Sequence, residues 1–236
     1  METMKQRLIT IGFLVAEAIL YYLIMTTKGQ MLPVFCYAAI AVCFLFALLN
    51  IKRFGILILL GLAFTLAADF CLVICQPIQQ LPGMLFFSVT QIFYAIRLHI
   101  NSGRKLLIWI RLGLIAAGEI LAAVVLKEKL DPLAVVSIFY YANLIGNIVT
   151  AFSDFSQNRL FAVGLVLFLL CDTVIGLQIA CGTYLPIQEG SLLYRIIFPD
   201  FFLSWFFYLP SQVLISLSGI CPSKSLFQHF RHSGDE

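Results

Sequence analysis

The chain reads as a succession of long apolar runs separated by short polar punctuation. A helix that crosses the hydrocarbon core of a bilayer needs about 20 mainly apolar residues. Eight stretches meet or approach that length: 8–25, 31–49, 54–75, 83–98, 106–126, 132–151, 160–181 and 200–217. The fourth is the shortest. The links are brief, as in Thr27-Lys28-Gly29 and Asn50-Ile51-Lys52-Arg53, so successive helices must run antiparallel. Asp131-Pro132 reads as an N-cap followed by proline at the first helical position. Pro199 and Asp200 open the last span, with Asp200 as an interfacial cap, and leave 188–198 as an outer, partly interfacial segment. Pro210 inside that span removes the hydrogen bond to the carbonyl of Phe206 and predicts a kink.

Composition sharpens this picture. Of 236 residues, 61% are hydrophobic and only 11% charged, where a soluble domain carries about 25% charge. The expected fold is therefore all-α: a polytopic bundle of eight transmembrane helices filling residues 1–221 as a single domain, with a short polar tail over 222–236. Lys5 and Arg7 precede the first apolar run, but that run is longer than a signal-peptide core and lacks a small-residue cleavage site, so it reads as the first membrane helix.

Lysine and arginine set the orientation. One side collects Lys5, Arg7, Lys52, Arg53, Arg97, Arg104, Lys105, Arg111, Arg159, Lys224 and Arg231; the other has Lys28, Lys127, Lys129 and Arg195. Both termini are expected in the cytoplasm and the protein in the plasma membrane. A net charge of +3, scattered over the chain, excludes a nucleic-acid surface.

The seven cysteines describe no redox motif. Cys36, Cys43, Cys71, Cys75 and Cys171 fall in apolar spans and read as small core residues. Cys75 and Cys181 both fall at outer helix ends, where one bridge between them is conceivable.

Four carboxylates interrupt the spans: Glu17, Asp69, Glu119 and Asp172. Each costs about 2.5–3.5 kcal/mol to place at the centre of a membrane helix. Such acids face a bundle interior or a wet cavity and mark function by default. Polar stripes recur on three other helices at steps of three or four, which places them on one face. These are Ser88, Gln91 and Tyr94 in the fourth span, Ser137, Tyr140, Asn143, Asn147 and Thr150 in the sixth, and Asp200, Ser204, Tyr208, Gln212 and Ser216 in the eighth. Counted from the non-cytoplasmic helix ends, Asp69, Gln91, Tyr140, Asp172 and Tyr208 all fall roughly 9–13 Å deep. That depth predicts one polar cavity in the outer half of the membrane. The same stripes also fit simple interhelical hydrogen bonding, each bond contributing about 0.6 kcal/mol.

Histidine is too scarce for metal or triad chemistry. His99 lies near a helix end, and His229 and His232 lie in the tail, so neither a His-ligated zinc site nor a Ser–His–Asp triad can be assembled in the membrane. No phosphate-cradling glycine loop is present. No metal and no cofactor are expected. Carboxylate chemistry remains. Two acids in a low-dielectric cavity do not both ionise readily, so one can hold a proton while the other acts as base. That division of labour suits cleavage of acetal-like or enol-ether bonds through an oxocarbenium-like state.

Several segments resemble a known family. Ala68-Asp69-Phe70-Cys71-Leu72 is similar to the Gly-Asp-x-x-Leu segment of YhhN-type membrane proteins, the lysoplasmalogenase family. Pro82-Gly83-Met84-Leu85-Phe86-Phe87 with Gln91-x-x-Tyr94 resembles its Gly-x-x-x-Phe and (His/Gln)-x-x-Tyr helix, and Gly164-x-x-Leu167-Phe168-x-x-Cys171-Asp172 its Gly-x-x-x-Phe-x-x-Ser-Asp helix. Tyr208-Leu209-Pro210-Ser211-Gln212-Val213-Leu214-Ile215 resembles its Tyr-x-x-x-Gln-x-Leu-Ile close. Departures are Ala68 for glycine, Cys171 for serine, and the interrupting Pro210, which mark a divergent member.

The resemblance implies an eight-helix hydrolase of the vinyl-ether bond in lysoplasmalogens, releasing a fatty aldehyde and a glycerophospho head group. It implies Asp69 and Asp172 as the acid/base pair, with Gln91, Tyr94, Tyr208 and Gln212 positioning water or substrate; the stripe on the sixth span adds Tyr140 and Asn143. The partners are then a lysophospholipid or other lipid, and the bilayer. Two other classes fit the intramembrane acids: a proton-coupled transporter of a small solute or lipid, and a lipid-binding protein without catalysis.

Overall fold

A computed structural model describes residues 4–51, 55–102, 105–126, 131–183, 188 and 190–220. Among them lie α1 (Met4–Thr26), α2 (Leu32–Leu49), α3 (Ile56–Asp69), α4 (Gln80–Ser102), α5 (Lys105–Leu126), α6 (Pro132–Ser153), α7 (Phe155–Thr183), α8 (Leu192–Ile197) and α9 (Leu203–Ser218). The polar tail and the loop cations Lys52, Arg53, Arg104, Lys127 and Lys129 lie outside the described residues.

The architecture is all-helical, and six helices are long and apolar enough to cross a membrane: α1, α2, α3 with its extension to Ile74, α4, α6 and α7. The remaining elements are α5 with 22 residues, α8 with 6 and α9 with 16. The fourth span is longer than its apolar pattern suggests, 23 residues rather than the predicted sixteen-residue core, because the polar ends Gln80 and Ser102 continue the helix. Asp131 caps α6 as expected: its Oδ1 accepts from the Ala134 N–H at 2.7 Å, and Pro132 follows at the first position.

Three expectations change. Asp200 does not start or cap the last helix. α9 begins at Leu203, its N-cap is Phe202, and Asp200 is exposed ahead of it. The segment before it contains α8, capped by Ser191, whose Oγ accepts from the Tyr194 N–H. No bridge joins Cys75 to Cys181; both are free thiols. Arg97 and Arg111, counted with the loop cations because they fall near helix ends, are buried inside the bundle at 9% and 6% exposure.

Packing runs most extensively between α7 and α9, α3 and α4, and α4 and α6. Small residues make two of these contacts close. A β-carbon at Gly164 would meet the Ser211 carbonyl oxygen at 3.1 Å and the Ile215 nitrogen at 3.2 Å, so glycine is what lets α7 lie against the α9 backbone. A β-carbon at Gly61 would overlap the Tyr94 ring, which is fully buried between α3 and α4. The aromatic core gathers Phe87, Phe161 and Phe168, while large apolar side chains such as Leu8, Trp109 and Leu121 cover the exterior. Outward apolar surface on this scale is what a lipid-facing bundle presents.

Candidate active site

The polar stripes face inward. Ser88, Gln91 and Tyr94 on α4, Tyr140, Asn143, Asn147 and Thr150 on α6, and Ser204, Tyr208, Gln212 and Ser216 on α9 are all buried. Ser137 is half-buried.

Asp69 closes the regular part of α3. The next five residues, Phe70–Ile74, form a π-helical turn, sealed by the Cys75 N–H donating to the Phe70 carbonyl at 3.0 Å. Wide turns of this kind concentrate at functional sites. The Asp69 carboxyl is 3% exposed, and the Tyr208 hydroxyl of α9 donates to its Oδ2 at 2.6 Å.

Asp172 lies two-thirds of the way along α7 and is half-buried. The Tyr140 hydroxyl of α6 donates to its Oδ2 at 2.5 Å, and the neighbouring Tyr141 hydroxyl donates to its backbone carbonyl at 3.0 Å. Each aspartate thus has one oxygen fixed by a tyrosine from another helix.

The two aspartate–tyrosine pairs share a floor. Phe87 of α4 lies 5.9 Å from the Tyr140 ring and 6.4 Å from the Tyr208 ring, and Phe168 of α7 lies 6.3 Å and 5.3 Å from the same two rings. Phe87 and Phe168 also meet each other edge to face at 5.6 Å. The two carboxyls are within electrostatic range of each other, and Cys171 is within range of both. The family-like glycine motifs therefore deliver their phenylalanines to one place, against the two tyrosines that hold the aspartates.

The rest of the predicted set divides by depth. Gln91 does not join the aspartate layer. Its side-chain and backbone carbonyls accept from the Asn147 Nδ2 at 2.8 and 2.9 Å. Asn147 is seven residues beyond Tyr140, about 10 Å along α6. Asn143 lies between the two levels. Its Oδ1 accepts from Arg111 at 3.4 Å, and its Nδ2 donates to the Phe139 carbonyl. The two aspartates thus keep their tyrosines, and Gln91 belongs to a second cluster further along α6.

Tyr94 is buried beside Gly61 with its hydroxyl near Thr65, and its ring meets Phe161 edge to face at 5.2 Å. Gln212 follows Tyr208 by one turn of α9, and neither of its amide atoms has a protein partner among the described residues. Buried amides in native structures are almost always hydrogen-bonded, so Gln212 offers a donor and an acceptor one turn from Tyr208.

The two glutamates stand apart. Glu17 is buried between α1 and α2, where its Oε1 accepts from the Cys43 thiol at 3.3 Å. Glu119 is half-buried on α5. Neither contacts an aspartate. Among the described residues no three His, Cys, Asp or Glu side chains converge as metal ligands.

Residue-level reading of the sequence missed Arg111, which is held by Asn143 and Asn147, and the support that Tyr141 and the two phenylalanines give. Arg111 carried a usable signal. It sits inside an apolar run, where an intramembrane cation is as informative as an acid.

These features define a class: an all-helical membrane protein with paired carboxyls, each braced by a tyrosine, inside its helix bundle. The YhhN family model matches residues 39–219, and the chain belongs to that family. No curated protein and no solved structure matches the chain significantly.

Proposed function

We propose that this protein is a membrane-embedded hydrolase of the vinyl-ether bond in lysoplasmalogens. The YhhN family includes lysoplasmalogenases. The observation that carries the reading is that the tyrosines bound to Asp69 of α3 and Asp172 of α7 pack against the same two phenylalanines.

The chemistry follows from that placement. Asp172 is the more accessible carboxyl and can regain a proton between turnovers, so it is the proton donor. It protonates the alkenyl carbon remote from the ether oxygen, which leaves an oxocarbenium ion at the adjacent carbon. In its ionised form Asp69 steadies that cation and takes a proton from water as the water adds. Gln212, one turn from Tyr208, orients that water. The resulting hemiacetal breaks its bond to the glycerol oxygen, which takes up a proton. A fatty aldehyde and a glycerophospho compound leave. Tyr140 and Tyr208 fix the Oδ2 atoms, so that the Oδ1 atoms face the reacting carbons. Tyr94 holds α4 in register rather than touching substrate.

In the same reading α5 and α9 complete eight spans, both termini are cytoplasmic and the protein resides in the plasma membrane. α9 with its 16 residues is about 24 Å long, enough to span most of the hydrocarbon core.

Mass spectrometry of lipids incubated with purified protein tests the proposal. Lysoplasmalogen should yield free aldehyde, and an ordinary acyl lysophospholipid offered alongside should persist. Aldehyde formation that survives in both Asp69→Asn and Asp172→Asn would dismiss the mechanism.

A further inference from the structure

Arg111 is a buried cation with no carboxylate partner among the described residues. It is 6% exposed. Its guanidinium donates to the Asn147 Oδ1 at 2.7 Å and to the Asn143 Oδ1 at 3.4 Å, and its Nε has no partner among the described residues. The cradle is shaped for it. A β-carbon at Gly146 would press on the arginine stem at 3.3 Å, so Asn143, Gly146 and Asn147 form a notch on α6 in which the side chain lies. Around it lie further side-chain atoms without a partner among the described residues. The Gln91 Nε2 is fully buried and unpartnered. His99 is within electrostatic range of Arg111, and neither of its ring nitrogens has a partner.

Amide oxygens satisfy hydrogen bonds but do not neutralise a guanidinium. A desolvated positive charge whose own Nε and the neighbouring Gln91 amide are unpaired donors calls for an anion. Arginine's planar fork matches a phosphate in particular.

We infer that Arg111, with Asn143, Asn147, Gln91 and His99, binds the phosphate of the lipid substrate. This inference rests on the lysoplasmalogenase reading and adds the head-group subsite to it. The geometry fits one molecule. The cluster begins one turn beyond Tyr140 on α6 and ends about two turns beyond it, roughly 5–10 Å from the level of the Asp172 contact. The glycerol backbone separates vinyl ether and phosphate by a comparable distance. The lipid then lies along α6. Its head group points to the end of the bundle where α4 finishes and α5 starts, and its alkenyl chain runs the other way, past the two aspartates.

The test measures binding to the full-length protein in a phosphate-free maltoside detergent. The probes are a saturated alkyl-ether lysophospholipid, which has no vinyl ether to cleave, the matching alkylglycerol, which lacks phosphate, and inorganic phosphate. The wild type should bind the phosphate-bearing lipid roughly 10- to 100-fold more tightly than the alkylglycerol, the range expected of hydrogen bonds to a charged group. Arg111→Gln should erase that difference by weakening only the phospholipid, and Arg111→Lys should retain part of it.

Equal binding of the two lipids by the wild type overturns the inference, and needs no variant to fold. So does an equal loss for both lipids in Arg111→Gln, which would mark a packing role. Inorganic phosphate competing as well as the phospholipid would assign the site to a free anion and overturn it too. Cleavage separates this inference from the reading beneath it. Phosphate-selective binding with no aldehyde from lysoplasmalogen sinks the hydrolase and keeps the site. Equal aldehyde release from lysoplasmalogen and alkenylglycerol keeps the hydrolase and sinks the site.

Discussion

At the scale of single residues, the proposed chemistry rests on two carboxyls and the hydroxyls that hold them. Removing either acid removes a proton donor or acceptor, and such groups contribute roughly 10²–10⁴-fold to rate. Asp69→Asn and Asp172→Asn should each lower aldehyde release by that range while the purified protein keeps its elution volume and helical circular dichroism. Tyr140→Phe and Tyr208→Phe keep the rings on Phe87 and Phe168 but delete one hydrogen bond to a carboxylate, worth about 1.5–3 kcal/mol. Their kcat should fall roughly ten- to a hundredfold; unchanged kcat in both would show that the tyrosines only pack. Glu17 contacts Cys43 and not the aspartates, so Glu17→Gln should leave aldehyde release intact in the same assay. The acids were legible in the sequence because charge inside an apolar run stands out. Their hydroxyl partners were less so: Tyr140 and Tyr208 fell on inward stripes, but nothing in the spacing says that Tyr140 meets Asp172 and Tyr208 meets Asp69. That pairing depends on how α6 and α9 rotate against their neighbours.

At the scale of elements, the helices are positioned by what they lack. Gly61 and Gly164 admit the Tyr94 ring and the α9 backbone at distances a side chain would forbid. Gly61→Ala should destabilise the protein by about 1–3 kcal/mol through overpacking. Gly12→Ala is a suitable control, since nothing lies within 4 Å of a β-carbon there. Thermal unfolding in detergent, followed by circular dichroism, should show a lowered midpoint for the first and none for the second. Helix existence was readable from apolar run length, and the α6 start from Asp131-Pro132. Helix ends were not. α4 outruns its apolar core because Gln80 and Ser102 carry no strong stop signal, and α9 begins after Asp200 because the acid is not placed to receive a first-turn N–H. Loop-cation counting misplaced Arg111, since proximity to a helix end does not say which face a side chain takes.

At the scale of the whole molecule, two aspartates from distant helices are held by tyrosines that meet in one aromatic cluster, in a chain whose exterior carries large apolar side chains. A mechanism that needs one carboxyl protonated and its companion ionised works only between their two titrations. kcat/KM for lysoplasmalogen should therefore rise and then fall with pH, and the variant at the proton donor should lose the alkaline limb of any residual activity. A rate that is flat across the neutral range would show that the carboxyls do not share the work. The all-helical membrane fold was legible from composition, and the family from four short motifs in order. The second polar level was not legible, because equal depth was estimated along each helix separately, and a difference of one turn between neighbouring helices is invisible without their packing.

The wide turn after Asp69 carries one more consequence. Residues 70–74 hold a single residue more than regular coiling requires. Cutting out Leu72 would let the chain resume ordinary winding, keep the carboxyl at its station, and leave the stretch that follows close to its present register. The segment beside the acid can thus be shortened by a one-codon deletion that leaves the acid itself untouched.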